Sequence, residues 1–340
     1  MNVGPEGQLS RILSSVFGPL THPLLPYPSA PGQLSFAQVN TGLHLVGRLP
    51  AKKFYLFGTP ITHSKSPLLH NTGFQAFGLP HHYGIIESAT VSEDVLTAIR
   101  SPDFGGASVT IPHKLEIVQH LDEISPHAKM IGAVNTIRPF VKDGETKLLG
   151  DNTDWLGLRE LVESNLTSDN EITDESTSLV LGAGGTSRAA IYTLHAMGFK
   201  TIYLFNRTPA NAEVLAKIFP AEYNVVVLYS LDSFPGEPPA VILSTIPATG
   251  TATVHQPNPD AGVVIPASVF ARAAGGVVVD AAYKPKLTPL LDLAERAEGW
   301  KAVPGIMMLL AQGYHQFAMW TGRRAPKTII ADAVLAAYEQ

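Results

Sequence analysis

The chain has 340 residues, 45% of them hydrophobic and 16% charged, a balance suited to a globular protein long enough for two domains and a sizeable core. A formal charge of -5 with no long basic run argues against a nucleic-acid surface, and the absence of cysteine excludes disulfides, thiolate metal sites and cysteine nucleophiles while fitting a reducing compartment. No apolar stretch reaches the ~18 to 20 residues of a membrane span, and the start lacks a basic-then-apolar signal layout, so cytoplasmic residence without membrane contact is expected.

Residues 1–34 are rich in proline, glycine and serine, with Pro23, Pro26, Pro28 and Pro31 closely spaced, and read as loop. Ser35 and Gln38 form a capping-box pattern that predicts a short helix to about Leu45. Short apolar strands then alternate with helices. Strands are predicted over 54–57, 82–86 and 106–111, and helices over 67–77, 91–100 and 112–121, which together make an α/β domain. A helix over 155–164 leads into the polar stretch 167–178, the expected boundary.

Beyond it, a strand at 178–181, the glycine turn Gly182-Ala183-Gly184-Gly185, a helix over 189–197 and a strand at 201–205 follow in the order of a dinucleotide-binding βαβ unit. Glycines in such a turn let the backbone approach a pyrophosphate, and the helix N-terminus faces its charge. The third small position is Ser187. The second strand ends in Asn206-Arg207-Thr208, where an NAD site would place an acid for the ribose 2′-hydroxyl. A guanidinium there matches a 2′-phosphate, so the unit reads as that of an NADP-dependent oxidoreductase; the plainer alternative is a structural unit with a solvated arginine. Further strands are predicted over 225–228, 241–244 and 277–281. An apolar helix over 305–320 is long enough to return to the first domain, and the two lobes would leave a cleft suited to a small molecule.

Several polar clusters sit at predicted strand ends. Ser64 and Ser66 flank Lys65 before Pro67; they suit either helix initiation with Ser66 as N-cap or a carboxylate site of two hydroxyls and free N–H groups. Thr110 closes a strand, and Lys114 falls in the first turn of the expected helix, where the dipole disfavours a cation, so it either escapes to solvent or serves acid–base chemistry. Asn135 follows the small apolar stretch Gly132-Ala133-Val134, read as a strand, and either donates to a ligand hydroxyl or closes a turn. Asp154 is a ready N-cap. Asp280 and Tyr283 share a strand end with the helix start at Thr288. Gln312 is the strongly polar group between Gly305 and Gly313, and needs a partner in backbone or ligand. The twelve histidines include no His-Glu-x-x-His spacing, so no metal site is expected.

Taken in order, Ser-Lys-Ser-Pro, Val-Thr-Ile-Pro-His-Lys, Gly-Ala-Val-Asn-Thr, Asp-Asn-Thr-Asp, Gly-Ala-Gly-Gly and Asn-Arg-Thr, with the late Tyr283 and Gln312, resemble the shikimate dehydrogenase family from about Lys53 onward. One departure is Ser108, where many members have asparagine. The resemblance implies an α/β fold of two domains: an N-terminal substrate domain, a Rossmann-type NADP-binding domain, and a C-terminal helix returning to the substrate domain. It implies domains at 49–154 and 155–304 and C-terminal helices at 305–340. It casts Lys114 and Asp154 as the catalytic pair, Ser64 and Ser66 as the carboxylate site, and Thr110, Asn135, Tyr283 and Gln312 as holders of the ring hydroxyls. Gly182, Gly184, Gly185, Asn206, Arg207 and Thr208 would form the NADP site, and the implied reaction is the reversible reduction of 3-dehydroshikimate to shikimate.

Within that family the chain resembles the C-terminal domain of the fungal pentafunctional arom polypeptides, because residues 1–48 look like the end of a type I dehydroquinate dehydratase. Arg11, Ser29 and Gln33 match substrate-binding residues of that enzyme, whereas its Schiff-base lysine and histidine would lie upstream of Met1. Some 45 residues cannot close a barrel that takes about 250. The segment reads as a remnant, a fragment edge or the product of a truncated gene model. Two rival readings are an NAD-dependent quinate/shikimate dehydrogenase, which Asn206-Arg207 disfavours, and a non-catalytic regulator like the quinate-pathway repressor.

Overall fold

A computed structural model describes residues 4, 7–14, 20–22, 25–27, 30–168, 170–253, 255, 256, 258 and 261–339. Its contacts divide into two units, one spanning Met1–Thr110 and Phe317–Gln340, the other Ile111–Gln316.

In the first unit, α1 (Gln8–Leu13) and α2 (Phe36–Leu45) precede β1 (Lys53–Gly58), α3 (Ser66–Ala76), β2 (His82–Glu87), α4 (Glu93–Arg100) and β3 (Phe104–Val109). β1 pairs in parallel with β2 on one side and β3 on the other, as strands joined by crossover helices must. Phe54, Leu56, Ile61, Phe74, Tyr83 and Phe317 pack into one core beneath them.

α2 begins as the capping box predicts. Ser35 Oγ accepts from the Gln38 N–H (3.2 Å), and Gln38 Oε1 accepts from the Ser35 N–H (2.8 Å). It is also bolted to α3: the buried Asn40 donates from Nδ2 to the Phe77 carbonyl (2.7 Å), and the Phe36 ring meets Phe77 edge-on at 5.5 Å. The Arg323 guanidinium lies 4.2 Å from the other ring centroid of that pair, Phe36.

The second unit opens with β4 (Glu123–Ile124), α5 (Pro126–Ile131), β5 (Thr136–Lys142), β6 (Glu145–Asp151) and α6 (Asp154–Asn165). β5 and β6 form an antiparallel hairpin, and β4 pairs in parallel with β6. Asp143 and Gly144 at the hairpin tip both have positive φ, 55° and 81°, as a two-residue type I′ turn requires.

β7 (Thr177–Leu181), α7 (Gly185–Ala196), β8 (Thr201–Phe205), α8 (Pro209–Ala216), β9 (Val225–Leu228) and β10 (Val241–Ser244) follow. The rest are β11 (Thr251–Ala252), β12 (Val263–Val264), β13 (Gly276–Asp280), α9 (Pro289–Glu295), β14 (Trp300–Val303) and α10 (Gly305–Thr321), whose residues from Phe317 on belong with α11 (Lys327–Glu339) to the first unit. Six of these strands form one sheet in the order β14-β13-β10-β7-β8-β9, parallel at every pairing. That is the doubly wound order, with its switch point between β7 and β10. Every residue of β7, β10 and β13 is buried, because helices cover both faces. Each valine, leucine or isoleucine so enclosed stabilises the fold by about 1.5 to 3 kcal/mol.

Two expected elements differ. Residues 112–121 form a turn and a short 3-10 segment at Glu116–His120 rather than an α-helix. The Lys114 carbonyl, which a helix would offer four residues on, instead accepts from the Val134 N–H (2.8 Å). Residues 132–134 are not a strand: α5 ends at Ile131, Gly132 caps it in the left-handed region, and β5 starts after Asn135.

At the end of β13, Asp280 Oδ2 accepts from Thr288 Oγ1 (2.7 Å), and Thr288 in turn caps α9 by accepting from the Leu291 N–H. Burial pushes the Asp280 carboxyl up from 3.8 to about 6, against hydrogen bonds from Thr288, Ala282 and Ser244 that pull it down.

Asn40→Ala, which orphans the Phe77 carbonyl, should cost about 1 to 2 kcal/mol in urea unfolding, while Thr41→Ala on the exposed side of α2 should be nearly neutral; equal effects would mean α2 is a passive linker. For Asp280, the folded state holds its proton where the unfolded state has lost it, so this group's contribution falls as pH rises from about 4 to about 6. Asp280→Asn should therefore gain in melting temperature relative to the parent across that window, and parallel profiles would reject the assignment.

Candidate active site

Lys114 and Asp154 meet as a buried ion pair, with Nζ on Oδ2. Asp154 is the first residue of α6 rather than its N-cap, which is Thr153, and its backbone N–H donates to Asn152 Oδ1 (3.0 Å). The carboxylate caps nothing. Its second oxygen, Oδ1, accepts from Asn135 Nδ2 (2.7 Å). Lys114 makes a further bond to Thr186 Oγ1 (3.0 Å), at the start of α7. Lys114 lies in a turn rather than in the first turn of an α-helix of its own, and the paired carboxylate rather than solvent accommodates its charge.

Asn135 is joined to more than Asp154. Its Oδ1 accepts from the Thr153 N–H (2.7 Å) and from Thr136 Oγ1 (2.6 Å), and its Nδ2 also reaches Thr153 Oγ1 (3.0 Å) and Gln312 Oε1 (3.3 Å). Gln312 stands on α10 and donates from Nε2 to the Leu309 carbonyl (2.9 Å), so backbone and Asn135 share its amide. α6 and α10 touch at this level because Gly157 has no side chain: a Cβ there would lie 2.7 Å from the Gln312 backbone nitrogen. The start of α10 packs on the loop carrying the half-buried Tyr283, where a Cβ at Gly305 would lie 2.5 Å from the Ala281 oxygen.

In the first unit Ser66 is the first residue of α3, behind Lys65, so the expected N-cap role does not hold. Ser64 Oγ accepts from the Ser66 N–H (3.2 Å) and donates to Ser66 Oγ (3.2 Å). The enclosed Tyr83 hydroxyl donates to Ser108 Oγ (2.7 Å) and also bonds Ser66; burial drives its phenol upward. A row of hydroxyls thus runs from Ser64 to Ser108. Thr110, half-buried, is fixed by its N–H on the Phe57 carbonyl (2.9 Å).

The glycine turn lies at the C-terminal end of β7. The Gly182 N–H donates to the Phe205 carbonyl (2.8 Å), which ties the turn to the end of β8 and to Asn206, Arg207 and Thr208 just beyond it. Ser187 Oγ accepts from the Gly184 N–H (2.9 Å) and donates to Thr245 Oγ1 (2.7 Å), whose own proton goes to the Leu181 carbonyl. The serine at the third small position therefore braces the turn. Asn206 Nδ2 donates to the Thr208 carbonyl (2.9 Å), and Arg207 is exposed beside Gly262.

Among the N-terminal residues, Arg11 Nη1 donates to the Gly32 carbonyl and Gln33 Nε2 to Leu20 (3.3 Å); Ser29 lies outside the described residues. Among the described residues no group of three histidine or acidic side chains could hold a metal ion, and no helix is long and apolar enough to cross a membrane. Sequence reasoning assigned no role to Thr136, Thr153, Thr186 or Gln316. The first three sit inside or next to the quoted motifs, and Gln316 lies one helical turn beyond Gln312 on α10, a spacing that would have marked it.

Residues 56–137 match the shikimate dehydrogenase substrate binding domain, 162–256 the shikimate / quinate 5-dehydrogenase family, 305–335 the shikimate 5'-dehydrogenase C-terminal domain, and 1–50 type I 3-dehydroquinase. The pentafunctional AROM polypeptides of Mycosarcoma maydis and Malassezia globosa are 48% and 47% identical over 100% and 99% of this chain, which spans 21% of the length of each. The dehydroquinate dehydratase and shikimate dehydrogenase of S. pombe AroM aligns over 98% of this chain and 62% of its own, with 41% identity and a TM-score of 0.74. A shikimate dehydrogenase solved in complex with NADP+ is 30% identical, with a TM-score of 0.68 over 85% of this chain and 96% of that one. The chain belongs to the shikimate dehydrogenase family.

Proposed function

We propose that this chain is an NADP-dependent shikimate dehydrogenase that interconverts 3-dehydroshikimate and shikimate. The observation that carries the reading is the buried Lys114–Asp154 pair, linked through Thr186 to the start of the helix that follows the glycine turn. A ketone becoming an alcohol needs a proton at its oxygen, and a lysine held by a carboxylate in a water-poor setting can donate it or take it back. Lys114 moves that proton, and Asp154 orients the ammonium and balances its charge.

A nicotinamide cofactor held here would supply the hydride, and would accept it in the reverse direction. Gly182, Gly184 and Gly185 would hold its diphosphate at the N-terminus of α7, beside the switch point of the sheet. Asn206, Arg207 and Thr208 would hold the adenosine end, with the exposed Arg207 guanidinium on the 2′-phosphate. Ser64 and Ser66 hold the substrate carboxylate, and Thr110, Asn135, Tyr283 and Gln312 its ring hydroxyls. The same reading divides the chain into 49–154 for substrate, 155–304 for NADP and 305–340 as C-terminal helices, with 1–48 belonging to a type I dehydroquinase end. A cysteine-free composition suits the cytosol as its setting.

Initial rates with shikimate and quinate, each with NADP and NAD, test the reading directly. Shikimate with NADP should be fastest, and no turnover on any pair would favour a regulator. Arg207→Ala should weaken NADP by about 1 to 3 kcal/mol while leaving NAD little changed; equal losses for both cofactors would remove the 2′-phosphate assignment.

Lys114→Ala should lower kcat by roughly 10² to 10⁴ with a much smaller change in shikimate KM. Asp154→Asn should be about as damaging, and should also melt earlier, because it strands a buried ammonium. The double variant Lys114→Met/Asp154→Asn should recover stability but not turnover. Parental turnover in folded Asp154→Asn would reject the pair's catalytic role.

A further inference from the structure

We infer that Thr136 and Gln316 are positioning residues: they fix the amide of Asn135 with its nitrogen toward Asp154, and thereby hold the carboxylate on Lys114. The inference rests on the proposed reading for its catalytic consequence, and on hydrogen-bond direction for its structural one.

An asparagine amide is nearly symmetric in shape, so its partners decide which end faces which way. The chain of direction begins at a backbone carbonyl. The oxygen of Asn135 can only accept, so the buried Gln316 must present its Nε2 there (3.1 Å). The same amide nitrogen donates to Thr136 Oγ1 (3.0 Å). The Thr136 hydroxyl donates to Asn135 Oδ1 (2.6 Å), a shorter contact than its 3.3 Å to Thr153 Oγ1, and the Thr153 N–H, which can only donate, arrives at the same oxygen (2.7 Å). The N–H demands an oxygen there, and the hydroxyl, its oxygen already accepting from Gln316, adds its proton to the same end. The nitrogen of Asn135 is consequently turned to Asp154 Oδ1 (2.7 Å), leaving Oδ2 for Lys114.

The opposite amide orientation would set two acceptors face to face at Asp154 and two donors face to face at Thr153. Thr136, Asn135 and Gln316 are each at most 2% exposed, so solvent does not repair a broken link. Thr136 is also the residue at which β5 begins, and Gln316 stands on α10, so the relay ties the carboxylate's orientation to a strand start and a helix.

The decisive substitution is Thr136→Val, which keeps shape and removes the hydroxyl, paired with Thr136→Ser, which keeps the hydroxyl and removes the methyl. Steady-state rates of the full chain with shikimate and NADP should show kcat lower by roughly 10- to 100-fold in Thr136→Val. The NADP KM should stay within about twofold of the parent and the pH profile of kcat should move, because the lysine and carboxylate are no longer held together. Thr136→Ser should restore most of the rate and the parental profile. A folded Thr136→Val with parental kcat and pH profile, or a Thr136→Ser as impaired as Thr136→Val, would overturn the relay. If Thr136→Val does not fold, Gln316→Met carries the same test from the far end. A second readout is independent of turnover: in a double-mutant cycle of unfolding midpoints, Thr136→Val and Asp154→Asn should be non-additive, and additivity would reject the coupling. A parent that turns over no substrate but shows that non-additivity would reject the proposed function and keep the relay.

Discussion

A lysine and an aspartate taken out of water together impose conditions on everything around them. Each charge costs several kcal/mol to desolvate, and their mutual attraction repays that only when the remaining donors and acceptors are also matched. Around Lys114 and Asp154 the matching is extensive: Asn135 on the free carboxylate oxygen, Thr186 on the ammonium, Asn152 on the backbone N–H. Each of these partners belongs to a different local element, so satisfying one ion pair in the turn of Lys114 recruits a strand start and two helix starts. The irregular path of residues 112–115 belongs to the same accommodation, since the Lys114 carbonyl is engaged by Val134.

The doubly wound sheet answers a separate constraint. Six parallel strands must be covered on both faces, which leaves the strand ends as the place where backbone groups are free to meet a ligand. The glycine turn occupies that place after β7, and it is stiffened from beneath by Ser187, Thr245 and the Leu181 carbonyl. In the proposed reading the main-chain N–H groups of this turn would meet a diphosphate, and such bracing would spare them the ordering cost that a backbone reorganising on binding incurs.

How much of this could be read from the residues depends on the range of the interaction. The capping box at Ser35 and the βαβ unit from β7 to β8 are local patterns, and both stand where their residues predict. The helix expected over 112–121 is absent because its carbonyl finds a partner twenty residues away, which no window of sequence contains. The β5–β6 hairpin stands outside the predicted strands although Asp143-Gly144 carries the type I′ signature, because Thr136–Lys142 does not alternate between apolar and polar residues. Gln316 is legible as a polar break in an apolar helix but not as a partner of Asn135, since 181 positions separate them. Asp154 illustrates a different limit: a carboxylate at a helix start satisfies the capping pattern whether or not it caps, and only the position of Lys114 separates the two cases.

The seating of α2 against α3 bears on how such chains can be recombined. Residues 1–50 match the dehydroquinase family, yet Asn40, Phe36 and the Ser35 cap are spent on the unit that contains Phe77 and Arg323. The seam between two sequence families therefore does not coincide with the seam between two folding units. A chimera that exchanged this dehydrogenase for a relative's at the family boundary would leave α3 with a foreign helix against its C-terminus, whereas a junction placed before Ser35 would transfer the helix together with the surface it was shaped to fit.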